Sequence, residues 1–132
     1  MHRRTVLKGM LAASMAATGG KAFAQSSEIR IGCLSAASGP AAFLGASEKN
    51  QFDLMVEQFN AQGGMSGHKI VPFYYDTEGN STNAAQQFRR LAESDKVHVV
   101  VGPSTTGESM VLKPIADELK IPMITMTGTE AL

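Results

Sequence analysis

The chain has 132 residues, with twelve basic and twelve acidic side chains, a single cysteine and no tryptophan. That length supports one modest core, which excludes a multidomain machine within this segment. Cys33 has no partner for an internal disulfide, and no Cys/His pattern has metal-ligand spacing, so disulfide-stapled and zinc-built folds are excluded as well.

The first 24 residues read as an export signal rather than as structure. A charged start is followed by a small-residue apolar run from Gly9 to Gly20, and Ala22-Phe23-Ala24 fits the A-x-A cleavage pattern. Arg3-Arg4, with a hydrophobic pair and Lys8 behind them, resembles a twin-arginine signal. The apolar run falls short of the roughly 20 residues a membrane span requires, so no span is expected after cleavage. Cutting after Ala24 leaves 108 residues that keep all twelve acidic but only eight of the twelve basic side chains, a formal charge of −4. Such a mildly acidic segment is not expected to bind nucleic acid. The expected location is the periplasm.

The mature part alternates strand and helix. Residues 28–34 alternate, with Ile29, Ile31 and Cys33 on one face, and predict a first strand in which Cys33 is a small core residue. A small-residue loop follows over 35–44. Phe52, Met55, Val56 and Phe59 then repeat at helical spacing and predict one apolar face on a helix over 46–62, ended by Gly63-Gly64. Residues 70–75 predict a second strand, placed near an edge or made irregular by Pro72, which cannot donate to a ladder. Asn80-Ser81 offers a cap, and Ala84, Ala85, Phe88, Leu91 and Ala92 carry the next helical stripe. Residues 97–101 predict a short buried strand, 107–120 a helix bent or divided at Pro114, and 121–125 a fourth strand. This order predicts an α/β fold: a parallel sheet with helices on both faces.

Ligands of such sheets bind outside the carboxyl ends of the strands. The informative segments are therefore 35–44, 76–81, 102–107 and 126–130. The loop "GPSTTG" is not a phosphate cradle, because Glu108 stands where a P-loop requires lysine. His68 is expected in a turn and His98 in a strand, neither with an acid or nucleophile partner. Asp76 and Glu78 are not distinguishable from a polar loop. No nucleophile, base or cofactor motif supports an α/β enzyme of flavodoxin-like topology, and no cofactor is expected. Thr105-x-x-Glu108 fits a capping box, as does Thr127-x-x-Glu130. The same helix starts direct free N–H groups and partial positive charge outward, which suits a carboxylate.

Five motifs carry a resemblance: "SGPAAFLG" (38–45), "FNAQGGMSGHKI" (59–70), "YDTEGN" (75–80), "VVVGPSTTGES" (99–109) and "IPMITMTGTEAL" (121–132). In this order and spacing they resemble the start of a leucine/isoleucine/valine-binding-type solute-binding protein, the exported component that feeds an ABC importer. The resemblance implies that residues 25–132 are the N-terminal part of the first lobe of a two-lobed clamp. The implied cargo is an amino acid of branched-chain type or a related carboxylate, delivered to the importer's membrane subunits. Thr106 and the loop Thr127-Gly128-Thr129 would hold the ligand carboxylate, with the hydroxyls of Thr127 and Thr129 sharing that work. Thr129 would also help hold an α-amino group. Leu44 stands in the first loop where members commonly carry an aromatic that packs on the ligand. The alternatives are a ligand-sensing domain of a receptor or regulator, or a binder of aromatic acids, amides or urea.

Overall fold

The computed structural model describes residues 28–128. The segment expected to be an export signal, together with Thr129 and Glu130, lies outside them.

The predicted alternation is observed: β1 (Ile29–Ser35), α1 (Ala42–Ala61), β2 (Ile70–Asp76), α2 (Ser81–Glu93), β3 (Val99–Val101), α3 (Thr106–Leu119) and β4 (Met123–Ile124). The four strands form one parallel sheet in the order β2-β1-β3-β4. Pro72 lies in β2, at the edge of this sheet, where its missing N–H costs no ladder bond on the open side.

Strand order and helix placement follow from one rule. The step from β1 to β2 runs one way across the sheet, and the steps from β2 to β3 and β3 to β4 run the other way. Right-handed crossovers therefore put α1 on one face and α2 and α3 on the opposite face. Side-chain parity agrees. Leu34 and Val100 join Ala84, Phe88, Leu91, Leu112 and Ala116 in the buried core beneath α2 and α3. Burying a side chain such as Phe88 or Leu91 contributes about 1.5–3 kcal/mol. Gly32 belongs to this face, since a Cβ there would meet Leu91 Cδ1 at 2.8 Å. Ser35 faces the other way and meets α1 through a hydrogen bond from its hydroxyl to the Gly45 carbonyl (3.3 Å).

α2 begins as the sequence predicts. The Asn80 side chain accepts from the amides of Thr82 (2.8 Å) and Asn83 (3.1 Å). α3 runs through Pro114 without interruption, so the predicted division does not occur, although proline forgoes one intrahelical bond. His98 sits just ahead of β3, where its Nδ1 accepts the Arg30 amide (2.9 Å), a sheet-entry role. His68 lies in the turn that bridges back to Met65.

The largest departure concerns α1. It starts at Ala42, four residues before the predicted position, with no side-chain cap at Ala41. Leu44 is therefore not a loop residue; it lies in the first turn of the helix. Gly45 permits this start. It is the buried residue of α1, packed so closely on the end of β1 that a Cβ would lie 2.2 Å from the Ala36 carbonyl carbon. The predicted apolar stripe is only half covered: Phe52 and Val56 are half-buried, while Met55 and Phe59 are exposed. The physical reason is the position of α1 over β1 and β2. Lys49 stands above the Tyr74 ring (4.9 Å to its centroid), and the Asn60 side chain pairs with both backbone groups of Ile70 (2.8 and 2.9 Å). The β3–β4 half of the same sheet face carries no helix among the described residues, and Ile124 is 59% exposed there.

Cys33 is fully buried in β1, and burial, with help from Glu48 and Asp53, pushes its thiol up to about 12. A group that stays protonated and enclosed cannot react as a thiolate. Ellman's reagent at pH 8 should therefore label Cys33 only in denaturant; rapid native labelling would contradict this packing. Gly102 is a second rigid point. Its φ is +111°, and a Cβ would lie 1.9 Å from the Leu34 carbonyl oxygen. Gly102→Ala should lower the free energy of unfolding by about 3 kcal/mol, combining backbone strain with overpacking, as read from urea unfolding.

Candidate functional site

All four strands are parallel, so their carboxyl ends share one edge of the sheet. The chain leaves β1 towards α1 on one face and leaves β3 towards α3 on the other. Adjacent strands whose connections diverge in this way define a topological switch point, where open α/β sheets form their ligand crevice. The crevice lies between the β1–α1 and β3–α3 connections.

Polar side chains join the two banks. The Ser104 hydroxyl accepts the Ala36 amide (2.9 Å) and donates to the Glu48 carboxylate of α1. A serine has one proton and two lone pairs, so both roles are compatible. Ser104 is 5% exposed, which makes this bridge part of the interior. Next to it, the Asp76 carboxylate accepts from the amides of Ser38 (3.3 Å) and Glu78 (2.9 Å) and ties the first two loops together. Asp76 thus acts as a loop clamp and does not form a two-carboxylate site with Glu78.

At the start of α3 the predicted capping box is present. The Thr105 hydroxyl accepts the Glu108 amide (3.4 Å), while Glu108 Oε2 accepts the Thr105 amide (3.2 Å) and the Thr105 hydroxyl. Thr105 therefore has no free hydroxyl proton. Glu108 is fully buried, and its Oε1 finds no partner among the described residues. Thr106, the first residue of α3, is exposed, and its hydroxyl and amide and the Gly107 amide have no partner among the described residues. These are the free donors that a helix start leaves open.

The β4 loop joins this mouth through Ser109. Its hydroxyl donates to the Thr105 carbonyl (3.0 Å) and lies 3.2 Å from the Thr127 hydroxyl. Met126 N–H also reaches the Pro103 carbonyl (3.4 Å). Of the residues singled out in the sequence, Thr105, Glu108, Thr106 and Thr127 are thus brought to one mouth. Gly128 follows, exposed. Leu44 lies in the first turn of α1, 40% exposed, next to Phe43. Thr129, and the second capping pair with Glu130, fall outside the described residues.

Glu48, Ser104 and Ser109 join the site only in the folded structure. Ser109 had a readable signal, four residues after the cap, where a helical serine can bond back to the carbonyl. Glu48 and Ser104 are 56 residues apart and had none. A shallow open depression bounded by Lys113, Asp117, Met123 and Thr125 lies at the outer edge of β4, away from these mouths. It is a gap beside an edge strand and contains none of the converging donors. Among the described residues no group of three metal-ligating side chains occurs, and no helix is long and apolar enough to cross a membrane.

Residues 28–131 match the Periplasmic binding protein family, and the chain belongs to it. It is 31% identical over 115 residues to the Leu/Ile/Val-binding protein homolog 7 of Brucella abortus (strain 2308), covering 87% of this chain and 29% of the relative. It is 31% identical over 123 residues to the Leu/Ile/Val-binding protein homolog 3 of Brucella melitensis, covering 93% of this chain and 33% of the relative. Among solved structures, it superposes on the branched-chain amino acid transporter substrate-binding protein LivJ of Streptococcus pneumoniae, solved in complex with isoleucine. There the TM-score is 0.75 and the identity 31%, over 79% of this chain and 30% of LivJ. The chain therefore spans about a third or less of the length of these relatives. The family comprises binding proteins rather than enzymes, and the fold corresponds to the N-terminal part of the LivJ-type molecule.

The Asp76 clamp has a pH signature. Burial alone would raise its carboxyl, but hydrogen bonds from Ser38, Glu78 and Ala37 outweigh it and hold the group below the usual carboxylate range. The ionised form is then favoured by folding. The resulting stability is complete above the unfolded value near pH 4 and is lost as pH falls through the lower folded value. Asp76→Asn should lower stability at pH 6 and flatten its decline below about pH 4, as followed by thermal melts across pH. A variant with the wild-type pH slope would reject the clamp.

Proposed function

We propose that this chain is the N-terminal part of the solute-binding component of an ABC importer, exported to the periplasm. Its cargo is an amino acid of branched-chain type or a closely related carboxylate. The observation that carries the proposal is the pair of mouths at the β1/β3 switch point, where unpartnered donors of the first turn of α3 lie beside the β4 loop held by Ser109.

The physical rationale is anion recognition at a helix start. The Thr106 hydroxyl and the amides of Thr106 and Gly107 can donate to a carboxylate, reinforced by the partial positive charge of α3. Thr127 and Gly128 border the same mouth from the β4 side, and with Thr129 they are proposed to share the carboxylate. Leu44, with Phe43 beside it, offers an apolar contact for the ligand side chain from the α1 bank. The greater length of its relatives, of which the chain covers about a third or less, supports the view that further polypeptide completes this lobe and that a second lobe closes over the crevice. Two-lobed clamps bind by hinge closure. The membrane subunits of the importer are the proposed partner, and residues 1–24, with Arg3-Arg4, are proposed to direct export by the twin-arginine route.

Thr106→Ala in the full-length protein should weaken binding of L-leucine, L-isoleucine or L-valine by about 1–3 kcal/mol, the cost of a lost hydrogen bond to a charged group. Titration calorimetry measures it directly. Unchanged affinity would remove Thr106 from the site, and absence of binding to all three would reject the cargo class.

A further inference from the structure

We propose that Glu48 is a specificity-determining residue of the crevice. One oxygen of its carboxylate is fixed by Ser104, and the other accepts from a solute side chain that carries a hydroxyl or amide donor. The inference rests on the binding role just proposed and deepens it, because it names the side chains that the site prefers.

The placement of Glu48 follows from the fold. It lies in the second turn of α1, four residues after Leu44 and so on the same flank of the helix. α1 runs back from the strand ends, and helical side chains lean towards the helix N-terminus. A long side chain at this position therefore returns to the crevice. There it meets the Ser104 hydroxyl, which accepts the Ala36 amide (2.9 Å) and donates to Glu48 Oε2. This contact joins the connection after β1 to the connection after β3, at the floor of the gap between them.

The two members of that contact differ in what they can offer a solute. Ser104 is 5% exposed, and its single proton is committed to Glu48. Glu48 is half-buried, and its Oε1 has no hydrogen-bond partner among the described residues. Unlike Glu108 Oε1, this oxygen is not shut away from solvent. No cation neutralises it either: the adjacent Lys49 is paired with Asp53 and stands above the Tyr74 ring. A carboxylate oxygen can only accept, so the open position calls for a donor and opposes a second carboxylate. Bonds to a charged acceptor are also stronger than neutral ones. The solute carboxylate is then held at the start of α3, while Glu48 reads the side chain. A hydroxyl or primary amide supplies the missing donor, whereas an aliphatic side chain displaces water from Oε1 and replaces it with nothing.

The test uses two nearly isosteric pairs, L-threonine against L-valine and L-asparagine against L-leucine, by calorimetry on the full-length protein. They place the donor at two distances from the α-carbon. Wild-type protein should bind the donor-bearing member of at least one pair about tenfold more tightly, the scale of one bond to a charged group. Glu48→Gln keeps the Ser104 bond through its amide oxygen and turns the open acceptor into an N–H donor. It should remove most of that preference and leave valine and leucine near wild-type affinity. Glu48→Met, of similar length and without the carboxylate, should also remove the preference. A ratio of two affinities in one preparation does not depend on the fraction folded, so partial misfolding of either variant leaves the test decisive. The inference is overturned if wild-type protein binds both pairs without a donor preference, if the preference survives in both variants, or if the variants weaken all four ligands equally, as a purely structural brace would. Tight binding of valine and leucine with no donor preference sinks this inference alone. Binding of none of the four by wild-type protein rejects the underlying cargo assignment, and this refinement falls with it.

Discussion

The parallel pairing of β1 with β2 on one side and β3 on the other is the constraint on which the rest of the molecule depends. It sends every strand end to one edge of the sheet. It also forces the connections after β1 and β3 to opposite faces, because right-handed crossovers in opposite directions cannot share a face. The crevice is thus a consequence of strand order, and its banks are the two loops that part there. What remains for side chains to do is to hold those loops at a fixed separation and to choose which polar atoms face the gap.

Small residues and single protons perform that work. Gly45 lets α1 settle against the end of β1, and Gly102 lets the chain turn over the Leu34 carbonyl; neither contact tolerates a Cβ. Ser104, buried, uses one proton and one lone pair to join segments distant in sequence, and buried Ser109 links the start of α3 to the Thr127 hydroxyl. Thr105 is consumed by its capping box, so of the two adjacent threonines only Thr106 is left open to a ligand. This division of labour follows from counting hydroxyl protons, since a hydroxyl offers one donor and two acceptors.

Much of this was legible in the sequence. Alternating apolar residues marked β1, the stripe through Ala84, Phe88 and Leu91 marked the buried side of α2, and the spacing of Thr105 and Glu108 marked the start of α3. These signals are local, repeating within one or two turns of backbone. The start of α1 is not legible in the sequence, because Gly45 looks like a loop glycine there, whereas its role is close approach of helix to strand. Leu44 accordingly reads as a loop residue, although it belongs to a helix. The half-covered stripe through Met55 and Phe59 shows the limit of periodicity, which reports that a face is apolar but not how much of it another element covers.

By itself, then, the sequence determined the alternation of elements, the parallel α/β class, the capping at α2 and α3 and the family resemblance, all of which rest on short-range spacing. The tertiary structure decided the strand order, the crevice between β1 and β3, the bridge from Glu48 through Ser104 to Ala36, and the meeting of Ser109 with Thr127. Those features join residues up to 68 positions apart. Whether such residues meet is fixed only when the sheet closes and each buried polar group must find a partner or forgo its hydrogen bond.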